Sequence, residues 1–237
     1  AARSTSPPSS PKSNAALASD TPEPPTEWTL EDLRRRAAKD DPWALVALWY
    51  AQKSPDFAPE LPFEEALAAL QRAVALGDAA ACFEWGCAHA EGTGVAKNAA
   101  EAVRWWRRAA ELGDAWAMND LACALFHGNG TPENAVEAVR WWRKAWAAGR
   151  DALAAFGLGL AYDQGRGVPQ SDGRAVAWWR KAARLGHAPA QHNLAVAYEW
   201  GEGIERNLRK ACRWYRRAAA QGDARALAAA QRLHLGS

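Results

Sequence analysis

GTGVAKNAAEAVRWWRRAAELG, residues 92–113, is a sequence whose variants return downstream at a nearly constant interval. Its tryptophan pair Trp105-Trp106 reappears after steps of 36, 37 and 36 residues, as Trp141-Trp142, Trp178-Trp179 and Trp214-Tyr215. The Gly-x-Gly turn that begins the stretch repeats with the same steps. A period of this length is typical of a helix-turn-helix unit, so the sequence predicts an all-α solenoid of stacked repeats.

Each copy carries the signals of two helices. In the first helix apolar residues recur at helical spacing, as in Ala117, Leu121 and Leu125. The first glycine of the turn permits the left-handed conformation that ends a helix. The second helix then begins at an N-cap residue, and Glu101 and Glu137 predict capping boxes in two copies. The four caps are Asn98, Asn134, Ser171 and Asn207.

The chain is predicted to contain a tail followed by a repeat domain. Residues 1–25 are rich in Pro and Ser and poor in large apolar side chains, so we predict a flexible tail. Over 26–237 we expect a first helix capped by Thr29 with Asp32, and Trp28 packing on Leu33. About five helix-turn-helix repeats and a closing helix follow, at 40–76, 77–112, 113–149, 150–185, 186–221 and 222–235. The first repeat is degenerate, as expected of a terminal one.

Composition limits the function classes. The formal net charge of +2 does not indicate a nucleic-acid partner, and a run of about 18 apolar residues, which would predict a membrane span, is absent from the sequence. The cysteines lie too far apart within the predicted repeats to be joined, so we predict four free thiols, at Cys82, Cys87, Cys123 and Cys212.

The repeated residues resemble a known family, the Sel-one-like repeat, which is related to the tetratricopeptide repeat. One copy shows this in Trp85-Gly86, Gly92, Gly94-Val95, Ala102, Trp105-Trp106, Ala109-Ala110, Gly113 and Ala117. The resemblance covers about residues 40–235. It implies a right-handed α/α superhelix that acts as an adaptor or scaffold binding a protein or peptide partner, frequently bacterial and exported. A periplasmic or secreted location is therefore expected, also because the chain begins at Ala1, with a cytoplasmic location as the alternative.

If the first helix of each pair lines an inner groove, as in tetratricopeptide arrays, its inward positions form the candidate partner-binding site. These positions are unusually apolar and aromatic for an exposed surface, which favours a binding groove. Tight packing between repeats is the competing interpretation. The candidate residues are Trp43, Tyr50, Phe83, Cys87, Trp116, Asn119, Cys123, Phe126, Phe156, Leu160, His192 and Trp200, with Val46, His127, Leu153 and Val196 beside them.

Other functions receive less support from the residues. A basic row on the second helices is interpreted as a solvated face whose long side chains cover tryptophan edges. The five histidines lack metal-ligand spacing, and the glycine turns follow helices rather than strands, so we expect neither a cofactor nor an enzyme. A monomer is favoured. A hydrolase or carbohydrate-binding protein using the same groove remains the alternative.

Overall fold

The computed structural model describes residues 29–54, 59–149 and 151–235. Within these ranges the chain forms α-helices and no strand, which confirms the predicted all-α fold class. The predicted tail at 1–25 and Trp28 lie outside the described residues. The helices are α1 Leu30–Ala37, α2 Pro42–Gln52, α3 Phe63–Ala75, α4 Ala79–Glu91, α5 Ala99–Glu111, α6 Ala115–His127, α7 Ala135–Gly149, α8 Ala152–Gln164, α9 Asp172–Arg184, α10 Ala188–Trp200, α11 Leu208–Ala219 and α12 Ala224–Leu235.

Consecutive helices pack on one another, as in α1 to α5 and α7 to α12. The described chain divides within α6 into two compact units, which we call the N-terminal unit (29–124 with 129–132) and the C-terminal unit (125–128 with 133–235). Each has its own apolar core, with Trp49 and Leu70 in the first and Trp179 and Tyr215 in the second. None of the helices in the described ranges is both long and apolar enough to cross a bilayer.

Asparagine and serine caps begin the second helices, as predicted. Asn98, Ser171 and Asn207 accept backbone N–H groups of the first turn. Asn134 accepts from the N–H of Glu137 at 3.1 Å. At the start of α1 the capping box between Thr29 and Asp32 is formed.

The capping box predicted at Glu101 is wrong, and at Glu137 the carboxylate accepts the side-chain amide of Asn134 at 3.2 Å. The N–H group of Asn98, which Glu101 would have to accept, donates instead to the carbonyl oxygen of His89 at 2.8 Å. The N–H of Asn134 likewise donates to a carbonyl of the preceding helix at 2.8 Å. The Glu101 carboxylate is left to pair with Arg104 at 2.8 Å. The backbone bond ties the end of one helix to the start of the next.

The second glycine of each turn is a contact point between repeats. Gly130, Gly167 and Gly203 all have a positive φ, between 68° and 72°. A Cβ on Gly167 would lie 2.3 Å from the carbonyl oxygen of Ala135, and one on Gly130 equally close to that of Ala99. A side chain at these positions would therefore push neighbouring helix pairs apart.

Tryptophans of the second helices fill space left by glycines of the first helices. Trp142 and Trp179 are 2% and 0% exposed. A Cβ on Gly157 would lie 2.3 Å from the Trp142 ring, and one on Gly159 equally close to the Trp179 ring. The tryptophan pairs are therefore structural joints, and their large buried area stabilises the repeat array.

Candidate functional site

The predicted site residues divide by exposure. Five of them are buried because the first helix of each pair is enclosed by neighbouring helices on more than one side. Phe126, for example, packs on the Trp142 ring at 5.1 Å and under the Arg166 guanidinium at 4.1 Å. These five belong to the packing between repeats: Asn119, Phe126, Phe156, Leu160 and His192.

Seven site residues remain accessible. Three aromatic side chains are exposed: Tyr50 at 45%, Trp116 at 42% and Trp200 at 54%. The half-buried ones are Trp43, Phe83, Cys87 and Cys123. Six of the seven lie in the N-terminal unit, and Trp200 lies in the C-terminal unit. The six accessible candidates of the N-terminal unit therefore lie on α2, α4 and α6.

A buried carboxylate, Glu84, lies beneath this surface. It accepts hydrogen bonds from the Trp49 indole at 2.8 Å and the Tyr50 hydroxyl at 2.9 Å, and it pairs with the Lys53 ammonium at 2.8 Å. These bonds join α2 to α4 and hold the Tyr50 ring in place. Sequence reasoning missed Glu84, because nothing in the repeat pattern distinguishes a buried glutamate on α4 from an exposed one.

Asp114 adds a second carboxylate next to the exposed aromatic rings. Its side chain accepts the N–H of Ala117 at 2.7 Å at the start of α6, two residues before Trp116. Burial raises the pKa of Asp114, and the charges of Glu84 and Asp78 raise it further. Burial, with Glu84, also raises the pKa of the Tyr50 hydroxyl. The surface thus combines aromatic rings with the Asp114 carboxylate, whereas the Glu84 carboxylate is already paired with Lys53.

Cys87, a free thiol of this surface, is unreactive in character. All four cysteines are free thiols, as predicted. Burial raises the pKa of Cys87, and the nearby carboxylates of Asp120 and Glu84 act in the same direction. Cys87 is therefore present as the neutral thiol at physiological pH and contributes an apolar contact rather than a nucleophile.

Trp200 ends α10 in the C-terminal unit, immediately before the left-handed Gly201. The preceding residue, Glu199, is buried and accepts the Tyr215 hydroxyl at 2.8 Å while pairing with Arg232. Like Glu84, Glu199 is a buried anchor that the sequence analysis did not single out. No group of three or more His, Cys, Asp or Glu side chains is placed to hold a metal ion in the described ranges.

Comparison with known proteins identifies the family. The Sel1 repeat model matches residues 79–114, 117–149, 152–187 and 188–223. The chain belongs to the Sel1 repeat family. Sel1 repeat proteins are generally non-enzymatic scaffolds for protein interactions. A comparison with curated proteins found no match.

Solved structures agree with this Sel1 assignment. A Sel1 repeat protein from Oxalobacter formigenes is 34% identical, with a TM-score of 0.74 over 84% of this chain and 76% of its own. A protective antigen of uropathogenic Escherichia coli with an SLR fold is 30% identical, with a TM-score of 0.77 over 83% of this chain. This chain covers 42% of that antigen's length. A sel1 repeat protein from Klebsiella pneumoniae shares the fold, with a TM-score of 0.53 at 22% identity.

Proposed function

We propose that this Sel1 repeat chain binds a segment of a partner protein through the exposed aromatic surface of its N-terminal unit, formed by Tyr50, Phe83, Cys87, Asp114 and Trp116. The observation that carries the proposal is the exposure of Trp116 and Tyr50, at 42% and 45%, on helices whose other large side chains are mostly buried. Exposed tryptophan and tyrosine are the residue types that dominate the energy of protein interfaces.

The charges near this surface indicate which partner segment it would accept. Glu84 is already paired with Lys53, so Asp114 is the carboxylate left to attract a partner. Its raised pKa reflects the cost of keeping it charged where it is partly shielded from water. A Lys or Arg of the partner would stabilise that carboxylate by pairing with it. We therefore expect the partner segment to combine basic and apolar side chains.

A displayed library of random peptides tests the proposal. We expect the wild-type protein to select sequences enriched in Lys or Arg next to apolar residues. Trp116→Ala should weaken binding of the selected peptides about thirtyfold or more, since loss of a central tryptophan costs about 2 kcal/mol or more. Asp114→Asn can still accept the N–H of Ala117, and it should weaken the binding of peptides that contain Lys or Arg more than the binding of the others.

Leu185→Ala is the matched control for Trp116→Ala. Leu185 is 53% exposed at the end of α9, so its truncation changes a similarly exposed apolar side chain outside the proposed surface. Equal loss of binding in both variants, or selected peptides without basic residues, would contradict the proposal. If a glycan array yields ligands that depend on Trp116 and the peptide library yields none, the carbohydrate-binding alternative replaces it.

A further inference from the structure

A cleft in the C-terminal unit is lined by none of the residues of the proposed partner surface. It has a volume of about 350 Å³ and is bounded by α9, α10, the turn after α10 and α11. This volume falls in the range of small-ligand sites, roughly 300–1,000 Å³. Three cationic side chains line it, Arg180, Arg184 and Lys210, and Glu205 is the one acidic residue among the described lining residues.

The three cations of this cleft have no anionic partner in the described part of the chain. None of Arg180, Arg184 and Lys210 makes an ion pair or hydrogen bond through its charged group with another described residue. Other cations of the array do: Arg104 pairs with Glu101, and Arg232 pairs with Glu199. The cleft therefore has unbalanced positive charge.

The repeats provide an internal comparison for this charge. One period before Arg180, Arg184 and Lys210, the equivalent positions hold Arg143, Ala147 and Arg174, and two periods before they hold Arg107, Glu111 and Glu137. The set thus changes from one cation with two carboxylates, through two cations, to three cations. In the middle copy Arg143 also donates to the Tyr162 hydroxyl at 3.3 Å. Only the set on α9 and α11 consists of three cations. The repeated helix pairs therefore do not by themselves require cations at these positions.

The aromatic lining of the cleft also favours an anionic ligand. Lys210 already lies 5.4 Å from the centroid of the Tyr198 ring, and the Arg217 guanidinium lies 4.7 Å from that of Trp214. An aromatic ring with a cation beside it attracts a second cation less. The rings are therefore suited to the apolar body of a ligand whose charged group is negative.

The N-terminus of α11 adds to the positive potential. Asn207 caps this helix and Lys210 lies in its first turn, and both line the cleft. The first turn of α11 contains no acidic residue and two basic ones, Arg209 and Lys210. Positive side chains oppose the helix dipole at this end, so a bound anion would stabilise the helix start.

We propose that the cleft binds a phosphate monoester carried on an aromatic or apolar body. Such a group carries nearly two negative charges and three acceptor oxygens, which suits a cleft lined by three cations better than a carboxylate with one charge. Arg180 and Arg184 bind the phosphate oxygens, Lys210 adds charge, and Trp214 contacts the organic body. The source is either a free phosphorylated small molecule or a phosphorylated side chain of a protein.

Isothermal titration calorimetry with phenyl phosphate on the full chain tests this. We expect saturable binding that weakens with added salt, with benzoate at least about tenfold weaker because it has one charge fewer. Arg184→Glu/Lys210→Glu, which copies Glu111 and Glu137, should abolish binding. The milder Arg184→Ala, which copies Ala147, should weaken phenyl phosphate binding about tenfold. If the double variant has a lowered Tm, the result for Arg184→Ala is used to judge the proposal.

Arg213→Glu/Arg216→Glu is the matched control. It makes the same change of net charge on exposed residues of α11 that do not line the cleft, so phenyl phosphate affinity should stay within about twofold of wild type. An equal loss in this control, no saturable binding by the wild type, or equal affinity for benzoate would overturn the proposal. Tighter binding of a phosphotyrosine peptide than of phenyl phosphate would assign the phosphate to a protein; the reverse would assign it to a small molecule.

Discussion

Replacing Gly159 by alanine is expected to destabilise the fold, although the same change usually stabilises a helix. Gly159 lies within α8, where a Cβ would come 2.3 Å from Cδ1 and Nε1 of the Trp179 ring. Ordinary contact requires about 3.4–4 Å, so ring or helix must move by more than 1 Å. Trp179 is 0% exposed and cannot swing into solvent.

The size of the effect follows from two opposing terms. Overpacking a well-packed core costs about 1–3 kcal/mol, and an overlap this severe belongs at the upper end. The better helix propensity of alanine returns about 1 kcal/mol. The net loss is therefore about 2 kcal/mol, which for a chain of this size lowers the Tm by about 4–8 °C.

Calorimetry or circular dichroism melting measures this loss, with Gly173→Ala as the control. Gly173 lies in the first turn of α9, and a Cβ there would have its nearest neighbour, the carbonyl oxygen of Gly203, at 3.8 Å. Gly173→Ala should therefore be neutral or stabilising by up to about 1 kcal/mol. The double variant Gly159→Ala/Trp179→Phe should lose less free energy of unfolding than the two single variants lose together. We expect this difference to be at least about 0.5 kcal/mol.

The reasoning is refuted if Gly159→Ala melts at or above the wild-type temperature, as Gly173→Ala is expected to do. It is also refuted if the effects of Gly159→Ala and Trp179→Phe are simply additive. Either result would mean that the ring and the glycine are not in contact in the folded protein.

Three further predictions concern polar side chains that are buried or half-buried. Glu199→Gln leaves the Tyr215 hydroxyl and Arg232 without their carboxylate and should cost about 1–3 kcal/mol in urea denaturation, while the exposed Glu111→Gln should change little. Burial lowers the pKa of His187 to about 4 from 6.5, so the unfolded chain binds more protons between these values. The free energy of unfolding should therefore fall as the pH drops from about 6.5 to 4, by up to about 3 kcal/mol; His187→Asn, which keeps a capping side chain, should flatten that profile, and an unchanged profile would contradict the assignment. Burial raises the pKa of Cys87, so iodoacetamide at pH 8 should label it at least about tenfold more slowly in the folded than in the unfolded protein, as followed by peptide mass spectrometry; equal rates would contradict this.

Much of the fold could be predicted from the sequence because the repeat period, the glycines and the caps are local signals. The spacing of Trp142 and Trp179 on their helices places them in the core, and the left-handed turn at Gly165 follows from the same local reasoning. The capping box predicted at Glu101 does not form because the Asn98 N–H donates to the carbonyl oxygen of His89, on the preceding helix. Such a competitor is invisible until the two helices are placed together.

The candidate surface could be predicted in part. Helical periodicity predicts which residues share one face of each first helix. It does not show whether that face is covered by a neighbouring helix pair. Phe156 and Tyr50 were assigned alike, yet Phe156 is 2% exposed and contacts the His187 ring at 4.6 Å, whereas Tyr50 is 45% exposed. Glu84 and Glu199 carried no signal, because their partners lie more than ten residues away along the chain.

The sequence by itself determined the helix pairs, their order and the residues that join them, since spacing of 36 or 37 residues and helical periodicity depend only on neighbours along the chain. Tertiary structure alone decided which aromatic side chains stay exposed and which cations remain unpaired. Both depend on distances between residues from different helices. Trp116 is accessible while Phe126 is buried on the same helix, and Arg180, Arg184 and Lys210 line one cleft only once α9 and α11 have both packed on α10.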